Sequence, residues 1–179
     1  MISADIDLGI LSNMKTNEGF SLKEVSDEKP VLLVFLRHFG CVFCKEAMAD
    51  LSALKDEIKE KNFKLVFVHM AENKVAEEYL DDFNLGGSLH ISDPDCRFYT
   101  AFRLTKGSFS QLYGLQTWIR GFSKENKSHK LQMAKALGDS TQMPGIFIIH
   151  KEDIKEHFIH KFAADRPDYG QLLNSCKVS

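Results

Sequence analysis

An α/β fold with a central mixed sheet flanked by helices is what this chain predicts, and three observations carry it. Three short runs, VLLVFLR (31–37), FKLVFVHM (63–70) and GIFIIH (145–150), are apolar and rich in β-branched and aromatic side chains. Such runs fit strands covered on both faces. Between the first two lies a long amphipathic stretch, so strand, helix and strand make a βαβ unit with a right-handed crossover. After the third, a turn at 151–153 leads into 154–162, the second arm of a hairpin, which adds antiparallel pairing to the sheet.

The helix between the first two strands spans about 43–61. Cys44, Ala47, Met48, Leu51, Leu54 and Ile58 recur at three- and four-residue spacing and form one apolar stripe. Lys45, Glu46, Asp50, Lys55, Asp56 and Lys59 fall mostly on the other face. VAEEYLDDF (75–83) reads as a second helix, residues 89–92 as a short strand, and YGQLLNSC (169–176) as a closing helix after Pro167. Residues 108–122 have helical character. The polar, Lys-dotted stretch 123–142 is too long for an ordinary connection. The whole stretch 105–143 is therefore an exposed insertion or a lid over a substrate site. With no repeat, low-complexity tract or proline-rich linker, residues 1–179 are expected to form a single domain.

The 179 residues are 44% apolar and 27% charged, the composition of an ordinary globular protein. A net charge of −2, from 23 basic against 25 acidic residues, argues against nucleic acid as a partner. No apolar stretch has the roughly 20 residues of a membrane helix, so no membrane partner is expected. Residues 1–15 carry Asp5 and Asp7 where a secretory signal has Lys or Arg. Four cysteines, two of them isolated, make no disulfide scaffold. The expected location is a reducing, cytoplasmic compartment.

In that setting Cys41-Val42-Phe43-Cys44 is the strongest chemical signal. The pair follows a buried strand directly and opens the amphipathic helix. Unpaired N–H groups and the positive dipole end there stabilise thiolate, so at least one thiol should titrate below the roughly 8.5 of free cysteine. A second thiol one turn away can resolve the first, and an intramolecular disulfide is expected. Arg37 and His38 upstream and Lys45 downstream offer cationic help. His69 and His150 each end a strand and could reach the same edge. A Cys2His2 metal site with His157 and His160 has the donors without the short spacings of structural zinc, so no metal is expected. No G-x-G-x-x-G follows a strand, so no bound cofactor is expected and electrons should arrive through another thiol or protein.

Four phrases then resemble one family: LRHFGCVFCKEAMADLSAL (36–54), ISDPDCRFYTAFRL (91–104), QMPGIFIIH (142–150) and FAADRPDYGQLL (162–173). They are similar to the peroxiredoxin-like proteins of the alkyl hydroperoxide reductase and thiol-specific antioxidant superfamily. Within it they look like the branch in which Cys-x-x-Cys replaces the usual site, the branch that includes prostamide/prostaglandin F synthase. The resemblance covers about 20–173 and implies a thioredoxin-like fold, with Pro144, beside Met143, as a cis-proline facing the thiols. It implies a thiol oxidoreductase that reduces peroxide-type substrates and is regenerated by a thioredoxin-type or other thiol reductant. A protein disulfide reductase and a non-catalytic redox sensor are the alternatives. The peroxiredoxin signature Pro-x-x-x-Thr-x-x-Cys, placed on Cys44, has Cys41 at the Thr position and Arg37 at the Pro position. The peroxide-orienting hydroxyl is thus replaced by a thiol. Thioredoxin logic makes Cys41 the attacking thiol; peroxiredoxin logic makes it Cys44. Both end in a Cys41–Cys44 disulfide, with Arg37, His38, Met143 and Pro144 shaping the site.

Overall fold

Five apolar residues form the central strand of the computed structural model, which describes residues 6–113 and 138–176. The strands are β1 (Val31–Phe35), β2 (Lys64–His69), β3 (Leu89–Ser92), β4 (Gly145–His150) and β5 (Asp153–Ile159). They form one sheet in the order β3-β2-β1-β4-β5. Pairing is parallel between β1 and β2 and between β2 and β3, and antiparallel between β1 and β4 and between β4 and β5. This is the mixed sheet of a thioredoxin-like fold, as the sequence leads one to expect.

The register decides what lies at the functional edge. Phe35 pairs with Val68 on one side and with Gly145 on the other, and Gly145 pairs with Ile159. The ends of β1, β2 and β5 therefore meet the start of β4 along one edge. Gly145 is required there, because a Cβ on it would stand 2.5 Å from Leu104 Cδ2. The hairpin turn is the short one expected, with Lys151 and Glu152 both left-handed (φ 51° and 56°).

Period-two alternation splits the core into two halves. Leu32, Val34, Phe67, Ile146 and Ile148 face one way, onto α2 (Val42–Ala53), α3 (Lys55–Glu60), α4 (Asn73–Asp82) and the closing helix. Leu33, Phe35, Val66, Val68 and Phe147 face the other, onto the 3-10 turn Leu8–Ser12, α1 (Leu22–Glu28) and α5 (Arg97–Ala101). Burial on both sides explains why these strands lack polar alternation.

Some elements differ from expectation. The helix expected over 43–61 is two, because Leu54 leaves helical geometry (φ −97°, ψ 4°) and re-aims α3 so that Ile58 reaches the same core as Leu51. Helix α1 was not expected, though Ser21 and Glu24 form a capping box in which Ser21 N donates to Glu24 Oε2 at 2.7 Å. Helix α5 was not expected either; the Asp93 carboxylate caps it by accepting from the N–H groups of Arg97, Phe98 and Tyr99. Of the stretch 108–122 the described part is α6 (Phe109–Tyr113), and most of 123–142 lies outside the described residues, as does the choice between insertion and lid. The chain closes with α7 (Tyr169–Ser175), capped by Asp168 accepting from Gln171 N at 2.9 Å.

Candidate active site

The site is built outward from the end of β1. Tyr99, fully buried, places its hydroxyl 2.7 Å from the Leu36 carbonyl and 3.0 Å from that of Val68. This fixes the ends of β1 and β2 just before Arg37. Cys41 N donates to the His38 carbonyl at 3.0 Å, turning the chain, and Cys41 is the N-cap of α2. Cys44 sits one turn later on the buried face of that helix. The order of strand, pair and helix read from the sequence is the one present, and all four cysteines are free thiols.

Arg37 is the centre of the site and is only 6% exposed. Its Nη1 donates to Cys41 Sγ at 3.0 Å, Nε donates to the Gln142 carbonyl at 3.2 Å, and Nη2 donates to the Ser140 carbonyl. Among the described residues these partners are two carbonyls and a sulfur, and none is a carboxylate. A buried guanidinium favours an anion beside it, and the group placed to become one is the Cys41 thiol. Cys44, 4% exposed, is treated oppositely. Burial pushes its thiol well above the usual range, and negative charge on Cys41 pushes it further, against smaller opposing effects of Arg37 and Lys45. Its nearest polar partner is the Arg37 carbonyl, at 4.0 Å from Sγ. The two thiols therefore differ in their surroundings: Cys41 Sγ lies against the Arg37 guanidinium, and Cys44 Sγ against a backbone carbonyl in the core.

The remaining expected residues divide. His38 is half-buried and held neutral, its pKa pushed down to about 4 by burial and then by the Arg37 charge. It therefore supplies no cation near neutral pH, which corrects the expectation of cationic help from it. Pro144 lines a cleft with Cys44, whereas Met143 is buried with its sulfur against Gly107. The expected cis bond at Pro144 is also corrected: no described peptide bond is cis. Gln142 bridges to Lys106, and Met143 N donates to the Thr105 carbonyl, so the chain enters β4 extended and needs no reversal. The ordinary preference of X–Pro bonds for trans then holds.

His69 does end at the functional edge, but its Nε2 lies 2.9 Å from His90 Nδ1 in a buried pair. His150 lies at the opposite edge, because β4 runs away from the site, and that expectation is corrected. The Cys2His2 alternative is corrected by alternation along β5. His157 stacks on Phe147 on one face of the sheet, whereas His160 lines the Cys44 cleft on the other.

The cleft contains about 480 Å³ of empty space, its open mouth included, and Phe43, Cys44, Pro144, Ile146, His160 and Tyr169 form much of its wall. Asp50 and Arg166 at its rim pair in a fork, with Arg166 Nε donating to Asp50 Oδ2 at 2.8 Å. The sequence reading considers His160 only as a candidate metal ligand and does not single out Gln142 or Tyr99. The hairpin was a signal for His160, since its second arm had to return to the edge where the third apolar run begins.

Residues 9–157 match the family model of the AhpC/TSA family. The chain is 26% identical over 178 residues to prostamide/prostaglandin F synthase of Danio rerio, covering 94% of this chain and 85% of that one. The human protein of the same name is 28% identical over 174 residues, covering 95% and 86%. Among solved structures, PrxQ of Xylella fastidiosa superposes with a TM-score of 0.64 at 14% identity, covering 95% of this chain and 91% of that one. Peroxidoxin BcpB of Mycobacterium tuberculosis superposes with a TM-score of 0.63 at 12% identity, covering 90% and 88%.

Proposed function

The chain belongs to the AhpC/TSA family, and from that premise we propose that it is a thiol-dependent oxidoreductase whose electrons pass through the Cys41/Cys44 dithiol. The observation that carries this reading is the 3.0 Å contact between Arg37 Nη1 and Cys41 Sγ beside the buried Cys44, whose thiol burial pushes well above the usual range. It supports a reading in which Cys41 is the attacking sulfur. In the first step Cys41 sulfur attacks the terminal oxygen of a hydroperoxide, the O–O bond breaks, the alkoxide leaves and takes up from solvent the proton that the Cys41 thiol had released, and Cys41 becomes a sulfenic acid. Cys44 then attacks that sulfur; the S–S bond forms and water leaves. An external dithiol of the thioredoxin type, or another thiol, restores the pair and is itself oxidised. No flavin, nicotinamide or metal enters these steps.

Pro144 shapes the cleft wall, and Arg37 both positions and charges the reacting sulfur. His38 contributes its backbone carbonyl to the turn. The whole of 1–179 acts as one unit in a reducing, cytoplasmic compartment. Among the described residues no helix is long and apolar enough to cross a membrane.

Protein disulfide reduction is the second reading, and the exposure of Val42 (42%) beside Cys41 favours it by offering an apolar contact to an incoming chain. Peroxide consumption coupled to a thioredoxin system separates the two. Turnover by the wild type, lost in both Cys41→Ser and Cys44→Ser, is expected. Reduction of a protein disulfide without any peroxide turnover would replace the first reading by the second.

A further inference from the structure

Cys44 must lose a proton to resolve the oxidised Cys41, yet its surroundings keep that proton on. The cleft wall beside Cys44 carries a neutral base with an unused nitrogen. His160 follows β5 at the functional edge and shares the cleft with Cys44. Its Nδ1 is buried without a hydrogen-bond partner, and its ring is fixed edge-to-face against Phe158, with centroids 5.0 Å apart. We propose that His160 is the proton acceptor for Cys44 when that thiol closes the disulfide.

The step balances as follows. The Cys44 S–H proton passes to the lone pair of the neutral imidazole, directly or across one water. The Cys44 sulfur attacks the Cys41 sulfenic sulfur, the S–S bond forms and the S–O bond breaks. His160 then returns the proton to the departing hydroxide, and water leaves. Cys44 is oxidised and the sulfenic sulfur is reduced.

Other titratable groups facing this space are less suited. Asp50 is engaged in its fork with Arg166, and the Asp165 carboxylate accepts from the N–H groups of Lys161 and Phe162. Tyr169 from α7 is itself pushed up by burial, and Glu46 from α2 completes the set with the Arg37 cation. Burial holds His160 neutral, with a pKa pushed down to about 4, the Arg37 charge lowering it and Asp165 and the Pro144 carbonyl opposing. It is therefore an available acceptor throughout the neutral range.

This inference rests on the Cys41-first reading, and the experiment separates the two. Reduced protein is mixed with one equivalent of hydrogen peroxide, quenched over time, and analysed for Cys41 sulfenic acid and for the Cys41–Cys44 disulfide. With His160→Gln, sulfenic acid formation should keep its wild-type rate while disulfide closure slows by about 100-fold or more at pH 7. Closure should be nearly independent of pH from about 5 to 8 in the wild type and rise about tenfold per pH unit in the variant. His160→Ala with added imidazole should recover part of the rate. An unchanged closure rate in the variant, or a tenfold-per-unit rise already present in the wild type, would overturn the assignment even if the variants fold poorly, since the second needs only wild-type protein. If Cys41 sulfenic acid never forms, the peroxide reading fails alone. Closure onto a mixed disulfide made at Cys41 with a small aromatic disulfide then tests His160 by the same pH profile.

Discussion

Replacing Arg37 by Met removes the only cation in hydrogen-bond contact with Cys41 among the described residues and keeps a side chain of similar reach. At 3.0 Å a guanidinium and a thiolate attract by about 5.5 kcal/mol at an effective dielectric of 20, an upper bound before desolvation. Charge-assisted hydrogen bonds retain about 1.5–3 kcal/mol net. The rate of attack by Cys41 should therefore fall roughly 10- to 150-fold. The carbonyls of Ser140 and Gln142 lose their donor as well, so the 138–143 segment should loosen against the dithiol. Arg37→Lys keeps a charge but not the three-way fork, and should fall between the two. The assay is the pH 7 rate of alkylation of reduced protein, with the labelled sulfur located by peptide mapping. A wild-type rate at Cys41 in Arg37→Met, or labelling of Cys44 ahead of Cys41 in the wild type, would refute the reasoning.

Further outcomes follow from the groups around the site. His69, fully buried, is held neutral with a pKa pushed down to about 3 by burial and then by His90. Its folded pKa lies below the unfolded value of about 6.5, so its contribution is complete above pH 6.5 and is lost as pH falls, because the unfolded chain takes the proton first. Between pH 7.5 and 5 this group alone should cost about 2 kcal/mol, measurable by urea unfolding; a His69→Asn variant with the same acid slope as the wild type would contradict this. Tyr99→Phe should cost about 1–2 kcal/mol, because the Leu36 carbonyl loses its donor while Val68 keeps a bond from Leu36 N. An unchanged unfolding midpoint would show that the hydroxyl does not hold these strand ends. Ser21→Ala should cost about 1 kcal/mol through loss of the α1 capping box, and equal stability by the same measurement would discount the cap.

The parts legible in the sequence were those governed by local pattern. β1, β2 and β4 stood out because burial on both faces demands unbroken apolar runs, and the hairpin because a polar turn separates the third such run from a mixed stretch that can return beside it. Helix α1 carried its signal in Ser21 and Glu24, but seven residues are too few for a clear apolar stripe. The break at Leu54 left no mark, since no Gly or Pro stands there and the cause is the position of Ile58 in the core. Cys41 and Cys44 were readable from their place between strand and helix. Which of them has Arg37 beside its sulfur was not, because that depends on where Arg37 points, which is set by carbonyls over a hundred residues away. The hairpin already brought His160 back to this edge, but its place in the wall beside Cys44 depends on the packing of the cleft. The expected cis-proline came from resemblance alone, and bonds at Gln142 and Met143 decide that geometry locally.

The central claim is that Cys41 is oxidised first and Cys44 closes the disulfide. One measurement tests it most directly: Cys44→Ser protein is treated with one equivalent of hydroperoxide in the presence of a sulfenic-acid trap, and the modified residue is located by mass spectrometry. The account predicts the adduct on Cys41, with Cys96 and Cys176 largely untouched and a Cys41–Cys44 disulfide in the wild type treated alike. No adduct on Cys41 in that variant, with a strong adduct on Cys44 in Cys41→Ser, would contradict it.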